Sequence, residues 1–214
     1  MANRVVVIGA GGHARVLIDA LLACGIPVYA IAETDSKLIG QSVLGVRIQS
    51  EMEALRSSDG ILRLVNGIGS VGSLRARRSI FERFKSQGHT FLQVIHPSAL
   101  IGSNVELQEG VQVMAGAVLQ AGTRVMENSI INTGAIIDHD CLIGKHVHVA
   151  PGVVVSGGVQ IGEDCHVGTG AVLVQQVVIG RASLVAAGAC VVNNVAEDSR
   201  VKGVPAKEFG RDDQ

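Results

Sequence analysis

Aliphatic side chains recur at every sixth position over the second half of the chain. Stepping by six from Ile95 to Val191 meets an aliphatic residue each time, and the residue four positions further on, from Ala99 to Val195, is always small or β-branched. Strands alternate with a period of two and helices with a period near 3.6, so this pattern fits neither. It predicts a solenoid in which six residues form one side and three sides close one coil.

The positions between these inward residues predict the corners of the coil. They carry glycine or asparagine, which adopt a positive φ angle at low cost: Asn104, Gly110, Gly116, Gly122, Asn128, Gly134, Gly152, Gly158 and Gly170. Stacked aliphatic side chains leave a narrow core without room for large rings, which explains an aromatic content of only 2% and the absence of Trp. We therefore predict an all-β parallel β-helix over residues 95–214, ending in a C-terminal tail.

Residues 1–94 follow a different pattern. An apolar run over residues 5–8 leads into a glycine-rich segment, and residues 14–23 carry apolar side chains at helical spacing. Further strands are predicted at 28–32 and 61–65, and a helix at about 73–85. These elements predict a small α/β, Rossmann-like domain with a parallel sheet. Pro97 marks its junction with the β-helix, because the residue before a proline is biased away from helix.

Charge and cysteine usage narrow the class of protein. The formal net charge is -1, with 18 basic and 19 acidic residues, so bulk electrostatics favours neither nucleic acid nor an anionic membrane as a partner. No apolar stretch approaches the length of a membrane span, and we expect a cytoplasmic protein. The four cysteines form no CxxC pair, which predicts free thiols rather than a zinc site or a disulfide framework.

The glycine-rich segment after the first predicted strand allows three interpretations. Gly9, Gly11 and Ala14 fit a GxGxxA pattern, and Glu33 or Asp35 lies near where a dinucleotide fold places its ribose acid. The region is too short for both halves of a dinucleotide fold, so we favour a nucleotide or nucleotide-sugar site at a helix N-terminus over an NAD site. In the third interpretation the glycines only tighten a turn.

Polar residues concentrate in one stretch of the predicted β-helix, residues 132–148, which holds three of the seven histidines. His139 with Asp140 could act as a general base, and His148 could steady the oxygen of a thioester during acyl transfer. Cys141 occupies an inward position, which predicts a core side chain rather than a nucleophile. Solvated corner histidines and a zinc site shared by His139, His146 and His148 are the alternatives.

Four motifs give the chain a resemblance to a known family. They are residues 7–14 (VIGAGGHA), 95–99 (IHPSA), 132–133 with 138–141 (NT and DHDC), and 203–207 (GVPAK). The chain resembles the sialic acid O-acetyltransferase (NeuD) family, and within it the bacterial nucleotide-sugar N-acetyltransferases that act on 4-amino-4,6-dideoxy sugars. The resemblance supplies the left hand of the hexapeptide-repeat β-helix and implies acetyl-CoA as co-substrate, with no metal.

The resemblance also implies a role for each matching residue. His139 would be the general base, Asp140 would raise its basicity, and His148 would contact the acetyl-CoA thioester carbonyl. The nucleotide-diphospho amino sugar would contact Gly11, Gly12, His13, Asp35, Gly69 and Asn132, the last of these near the acceptor amine. The CoA channel would be lined by Gly157, Thr169 and Ala187.

The same resemblance implies an organisation and leaves alternatives for the activity. Residues 1–94 would bind the nucleotide sugar, residues 95–214 would carry acyl transfer, and the protein would be a homotrimer with its sites between subunits. Acetylation of a sugar hydroxyl, as in the sialic acid enzymes, uses the same fold and base and remains the main alternative. A zinc-dependent hexapeptide-repeat hydratase is the other.

Overall fold

The computed structural model describes residues 4–56, 62–70 and 75–210. The chain divides into two compact units, Met1–Pro97 and Ser98–Gln214. The division lies three residues beyond the junction placed between residues 94 and 95 from the sequence.

The first unit is built on a six-stranded sheet with the order β3-β4-β2-β1-β5-β6. Neighbouring strands are parallel except for the antiparallel pair β3 and β4. Phe81 and Phe84 of the last helix are buried with Val6, Ile8 and Leu64 of the central strands. The elements are β1 (Arg4–Ile8), α1 (Gly12–Ala23), β2 (Val28–Glu33), β3 (Ser42–Val43), β4 (Val46–Ser50), α2 (Glu51–Ala54), β5 (Leu62–Asn66), α3 (Arg75–Ser86), β6 (Thr90–Phe91) and β7 (Val94–Ile95).

The predicted α/β elements of this unit are confirmed where the structure describes them. The first predicted helix begins two residues earlier than expected, at Gly12, and residues 61, 73 and 74 of the predicted third strand and last helix lie outside the described residues. The elements that the pattern missed are the five-residue β4 and three shorter ones, β3, β6 and α2. The four-residue α2 carries a capping box between Ser50 and Glu53, a local signal that hydrophobic spacing does not reveal.

The second unit is the predicted parallel β-helix. Up to β23, each strand residue pairs with the residue 18 positions later, as Gln112 does with Ile130 and Ile130 with His148. The last coil is two residues shorter, and Leu184 pairs with Arg200. Three sides result. The first side contains β10, β13, β16, β19, β22 and β24, the second contains β8, β11, β14, β17, β20 and β23, and the third contains β9, β12, β15, β18 and β21.

The strands of the β-helix are two residues long up to β23. They are β8 (Leu100–Ile101), β9 (Glu106–Leu107), β10 (Gln112–Val113), β11 (Val118–Leu119), β12 (Arg124–Val125), β13 (Ile130–Ile131), β14 (Ile136–Ile137), β15 (Leu142–Ile143), β16 (His148–Val149), β17 (Val154–Val155), β18 (Gln160–Ile161), β19 (His166–Val167), β20 (Val172–Leu173), β21 (Val178–Ile179), β22 (Leu184–Val185) and β23 (Cys190–Val191), followed by β24 (Arg200–Lys202) and the antiparallel β25 (Lys207–Glu208).

Inward positions form a continuous core. Every predicted inward residue from Val111 to Val195 is buried, whereas Ile101 in the first coil is 40% exposed, because the end of a stack has a neighbouring coil on one side only. The polar members of this column satisfy their donors internally. Ser129 Oγ donates to the Gly144 carbonyl at 2.7 Å and Thr123 Oγ1 to the Asp138 carbonyl at 2.9 Å, so their burial leaves no donor unsatisfied.

All nine predicted corner residues have positive φ, from 56° at Asn104 to 76° at Gly122. The same conformation occurs at corners that the composition did not flag: Asp140, His146, Asp164, Gln176, Ala182, Gly188 and Asp198. The corner backbone therefore repeats even where the residue is neither glycine nor asparagine. Among the described residues, no helix is long and apolar enough to cross a membrane.

Candidate active site

His139 and Asp140 form a hydrogen-bonded pair at the corner between the second and third sides. Asp140 has a φ of 57°, and its Oδ2 lies 2.9 Å from Nδ1 of His139. A carboxylate only accepts, so Nδ1 donates and the ring hydrogen of the neutral imidazole sits there. Nε2 is left with its lone pair, and the His139 side chain is 54% exposed. Nε2 is therefore placed to accept a proton from an approaching ligand.

The electrostatics of this corner make His139 a stronger base. The pKa of His139 is raised above its ordinary value of 6.5, chiefly by the hydrogen bond to Asp140 and then by the negative charge of Asp138. Asp138 also accepts the His139 backbone N–H through Oδ1 at 2.8 Å. Sequence reasoning missed Asp138, although its position directly before His139 was a visible signal.

Small residues on the adjacent coils leave room for this pair. A Cβ added to Gly157 would lie 2.5 Å from His139 Nε2, and one added to Gly122 would lie 2.5 Å from Asp140 Oδ1. Gly157 is the residue 18 positions after His139, and Gly122 is the residue 18 positions before Asp140. Gly157 was expected from the resemblance as a CoA contact, and the structure gives it contact with the His139 ring. Gly122 was missed as a site residue, although the 18-residue spacing could have found it.

His148 lies on a different part of the β-helix from His139. It is in β16 on the first side, opposite the second–third corner that carries His139. His148 is only 8% exposed. Its Nε2 lies 3.0 Å from Nδ2 of Asn132, and its ring meets the ring of His166 edge-on with centroids 5.1 Å apart. The structure thus brings Asn132 to His148, and Asp140 to His139, as two separate pairs.

The remaining positions expected at the CoA channel lie at another corner. Thr169 and Ala187 are exposed and 18 residues apart, at the corner between the first and second sides. The Thr169 carbonyl accepts the N–H of Gly188 at 2.9 Å. The three expected CoA contacts therefore occupy two corners of the prism, with Gly157 apart from the other two.

Two buried cysteines fill the core of this region. Cys141 Sγ donates to the Ser156 carbonyl at 3.3 Å, and Cys165 Sγ donates to the Gly180 carbonyl at 3.0 Å. Burial raises the pKa of the Cys141 thiol and raises that of Cys165 to about 12. Both thiols stay protonated near neutral pH, so neither is a nucleophile.

In the first unit, Glu33 is committed to the glycine-rich segment. Its Oε2 accepts the Ala10 N–H at 2.9 Å, and its Oε1 accepts the N–H groups of Thr34 at 2.6 Å and Asp35 at 3.1 Å. Burial alone would raise the pKa of Glu33, but these backbone hydrogen bonds outweigh it and lower the pKa. Asp35 accepts the N–H of Lys37 at 2.9 Å. Of the two acids, Glu33 is the one that holds the loop.

The glycines of this segment differ in what constrains them. Gly9 has a φ of +90°, and a Cβ there would lie 2.5 Å from Ile68 Cδ1, so the fold itself requires glycine. Gly11 and Gly12 are exposed, and a Cβ on either would meet nothing within 4 Å. A Cβ on Gly69 would lie 3.3 Å from the Cβ of His13, so the expected contacts His13 and Gly69 are neighbours. Packing within the unit does not explain Gly11 and Gly12.

A buried arginine supports the neighbouring loop. Arg77 Nη1 donates to the carbonyls of Asn66 and Ile68, each at 2.9 Å, and Asn66 Nδ2 donates back to the Arg77 carbonyl at 2.9 Å. Burial lowers the pKa of Arg77 to about 9.

Within the described ranges, no group of three or more His, Cys, Asp or Glu side chains could hold a metal ion.

Comparison with known proteins shows the same architecture in a group of sugar N-acetyltransferases. Residues 4–84 match the family described as the PglD N-terminal domain. PerB from Caulobacter crescentus, solved with CoA and GDP-perosamine, is 40% identical, with a TM-score of 0.88 over 96% of this chain and 97% of that one. Structures of this perosamine N-acetyltransferase also exist for variants in which one histidine is replaced by asparagine or alanine.

A second relative comes from a different organism. The acetyltransferase domain of PglB from Neisseria gonorrhoeae is 35% identical, with a TM-score of 0.87 over 96% of this chain and 99% of that one, and it has also been solved with acetyl coenzyme A. WeeI from Acinetobacter baumannii, at 24% identity, shares the fold. Near-complete superposition also fixes the hand of the coil, since a mirror-image solenoid would not superpose, and the predicted left-handed β-helix is confirmed.

Identity at this level over nearly the whole length of both chains establishes common membership. PerB is a perosamine N-acetyltransferase, and none of the relatives named above places the chain in the sialic acid O-acetyltransferase subfamily. The chain belongs to the family of left-handed β-helix, CoA-dependent sugar N-acetyltransferases that includes PerB and the acetyltransferase domain of PglB.

Proposed function

We propose that the protein transfers the acetyl group of acetyl-CoA to the 4-amino group of a nucleotide-linked 4-amino-4,6-dideoxy sugar, with His139 as general base. The observation that carries this proposal is the half-exposed His139 side chain, whose ring Asp140 holds through Nδ1, whose Nε2 keeps its lone pair and whose pKa is raised. The complexes of PerB with CoA and GDP-perosamine support this class of donor and acceptor. A cytoplasmic location follows from the proposal, since acetyl-CoA is consumed there.

In the proposed reaction, His139 Nε2 takes a proton from the acceptor amine as its nitrogen attacks the thioester carbonyl. A C–N bond forms, negative charge develops on the carbonyl oxygen, and the C–S bond then breaks. The protonated His139 returns its proton to the departing CoA sulfur. Asp140 stabilises the imidazolium throughout, and His148 donates a hydrogen bond to the developing oxyanion.

We propose that the first unit holds the nucleotide part of the acceptor through Gly11, Gly12, His13, Asp35 and Gly69. Two observations support this assignment. Gly11 directly precedes α1 and Gly12 is its first residue. The unit has room for a side chain at both positions, yet both are glycine. Glycine there lets a phosphate approach the backbone N–H groups closely. Glu33 is occupied by three backbone donors, so Asp35 is the acid better suited to a ligand.

We propose a homotrimer with its sites between subunits. His139 and His148 lie on opposite parts of one prism, so both can act on one thioester only if they come from different chains. The second side also carries an outward ladder of exposed aliphatic residues, Leu100, Ile136, Val154 and Val172, at 38% to 65% exposure. A solvated sheet face is ordinarily polar, and association would bury this ladder.

The activity is tested by incubating the protein with acetyl-CoA and a panel of nucleotide-linked 4-amino sugars, following CoA thiol release. A matched panel with a 4-hydroxyl in place of the amine separates N- from O-acetylation. We expect turnover only with the amines, and a loss of about a hundredfold or more in His139→Ala and His139→Asn. Turnover that survives these substitutions, or that needs the 4-hydroxyl, would refute the proposal.

Sharing of the site between chains is tested by complementation. His139→Ala and His148→Ala chains, each of low activity, are co-expressed with separable tags and purified as mixed oligomers. If the two histidines of one site come from different chains, about a quarter of the sites in a random equal mixture regain both. If both came from one chain, no site could regain them, and activity would stay at the level of the single variants. The molar mass by light scattering gives the number of chains.

A further inference from the structure

Two asparagine–histidine pairs lie side by side in the β-helix, and they engage different ring nitrogens. Asn132 Nδ2 lies 3.0 Å from Nε2 of His148, whereas Asn128 Nδ2 lies 2.9 Å from Nδ1 of His146. Both histidines are buried, at 8% and 4% exposure respectively. The proton positions on the two rings therefore follow from which ring nitrogen each amide contacts and from which end of the amide faces it.

For His148 the direction of the hydrogen bond is fixed by a third group. The Thr133 backbone N–H donates to Oδ1 of Asn132 at 2.8 Å, which identifies that atom as the oxygen and turns the NH2 group towards the histidine. An amide NH2 group only donates, so Nε2 of His148 must accept with its lone pair. The hydrogen of the neutral ring is then on Nδ1.

We propose that Asn132 is a positioning residue that holds His148 as the Nδ1–H tautomer. The resemblance implied that Asn132 lies near the acceptor amine; His148 faces its NH2 group and the Thr133 N–H donates to its oxygen, which leaves a second N–H hydrogen for a ligand. The consequence for catalysis rests on the proposed function. If His148 donates to the thioester oxygen, the hydrogen that it donates is the one on Nδ1, and the opposite tautomer would point a lone pair at the developing negative charge.

His146 provides an internal comparison within the same fold. Its Nδ1 lies 2.9 Å from Nδ2 of Asn128, so with the NH2 group of Asn128 on this side the hydrogen of the neutral ring is on Nε2. The two buried histidines, two residues apart, are thus assigned opposite tautomers by the same kind of partner. Asn128 and His146 have no part in the proposed reaction.

The assignment is tested directly by 15N NMR of the full-length protein labelled at histidine, without substrates. His148→Gln and His146→Gln variants identify the resonances. We expect His148 to show a protonated Nδ1 with an unprotonated Nε2, and His146 the reverse. A protonated Nε2 on His148 in the unmodified protein would overturn the proposal, and this measurement does not depend on whether the protein acetylates anything.

The role of Asn132 is tested by Asn132→Asp, with Asn128→Asp as the matched control. A carboxylate only accepts, so each change places a hydrogen on the ring nitrogen that it faces, Nε2 of His148 or Nδ1 of His146. With Asn132→Asp we expect kcat to fall by roughly tenfold to a hundredfold, the scale of a misdirected oxyanion donor, with KM for both substrates changed by less than about threefold. Asn128→Asp is expected to leave kcat unchanged.

The spectra and the kinetics test two separate claims: that Asn132 sets the tautomer of His148, and that this tautomer matters for catalysis. An unchanged His148 spectrum in Asn132→Asp would overturn the positioning role. A changed spectrum with unchanged kcat would overturn its consequence for catalysis. Failure of the proposed function would appear differently, as no acetyl transfer by the unmodified protein, with the histidine resonances still as expected. Circular dichroism of each variant verifies that the β-helix is retained.

Discussion

The inward positions of the β-helix (the inward column) and the corner between its second and third sides both repeat from coil to coil with an unchanged backbone. They differ in what their side chains do. At this corner, Gly122, Asp140, Gly158 and Gln176 have φ angles of 57° to 76°. Each donates its N–H to the coil before, as Asp140 does to Ala121 at 3.0 Å and Gly158 to His139 at 2.9 Å. The backbone is therefore unchanged where the chemistry is placed. The exceptional side chains, not a distortion of the coil, make the site.

In the inward column the side chains repeat along with the backbone. There most side chains are aliphatic and similar to one another, and each packs against the coil on either side. Changes to the inward column are expected to cost stability and spare turnover, whereas changes to the corner cost turnover and spare stability. Each of the following variants tests one half of this contrast.

The largest effect is expected in the core, from Leu173→Ala. Leu173 is fully buried in β20, and its truncation leaves a cavity that stacked coils cannot close. We expect the free energy of unfolding to fall by about 2–5 kcal/mol, with turnover per folded molecule unchanged, as measured by denaturant unfolding and by initial rates. Val178→Ala is the control, since Val178 points outward and is 39% exposed. Equal destabilisation by both changes would contradict the inward assignment.

Gly157→Ala tests the corner. An added Cβ would lie 2.5 Å from His139 Nε2 and 2.7 Å from Cε1, so the imidazole must move away from the position that Asp140 sets. A displacement on the scale of 1 Å in a catalytic group can cost up to about a hundredfold in rate, and we expect kcat to fall by roughly tenfold to a hundredfold. The unfolding midpoint is expected to stay near that of the unmodified protein, because only the exposed ring is disturbed.

Gly152→Ala is the matched control for this substitution. Gly152 has a φ of +68° but open space around its Cα, so alanine there is strained in the backbone and touches nothing. We expect a loss of about 1 kcal/mol in stability with kcat unchanged, the reverse of Gly157→Ala. For Gly157→Ala, the 15N NMR spectrum of His139 recorded without CoA distinguishes displacement of the His139 ring from loss of a contact between Gly157 and CoA. A normal His139 resonance in Gly157→Ala would show that the ring has not moved.

The repeating half of the fold could be predicted because one six-residue period determines it. A single register assigned the buried positions from Val111 onward and the nine glycine and asparagine corners. The first unit was harder to predict, because β3 and β6 are only two residues long and carry no period of their own. β3 forms only by pairing with β4 across the two-residue turn at Leu44 and Gly45, and β6 only by pairing with β5, from which α3 separates it in the chain.

The site could be predicted in part for the same physical reason. The register separated Cys141, an inward residue, from His139 and Asp140, which the core does not need. It did not reveal that Asn132 meets His148 or that Gly157 meets the His139 ring, because both contacts join adjacent coils through side chains whose rotamers the sequence does not specify. Once the offset of 18 residues is known, the residues about 18 positions before and after a site residue can be listed as its candidate contacts on the adjacent coils.

A smaller effect is expected from Asp140→Asn, which tests how Asp140 sets the pKa of His139. Asparagine tolerates the positive φ at this position and can still accept the Nδ1 hydrogen, but the negative charge is lost. The pKa of His139, now raised above 6.5 mainly by Asp140, falls. Because the neutral imidazole is the active form, the acid limb of the kcat–pH profile moves to lower pH, while the weaker base lowers the plateau by roughly tenfold.

Asp138→Asn is compared with Asp140→Asn, because it removes a charge that raises the pKa of His139 less. Asp138 raises the pKa of His139 only through its charge, and its Oδ1 accepts the backbone N–H rather than the ring. Its replacement is expected to move the acid limb in the same direction but less far. Asp164→Asn, at a corner of the β-helix with a φ of 60°, is expected to move it not at all. A limb that moved equally in all three variants would report the net charge of the protein, and the claim that the His139–Asp140 hydrogen bond sets the base would be wrong.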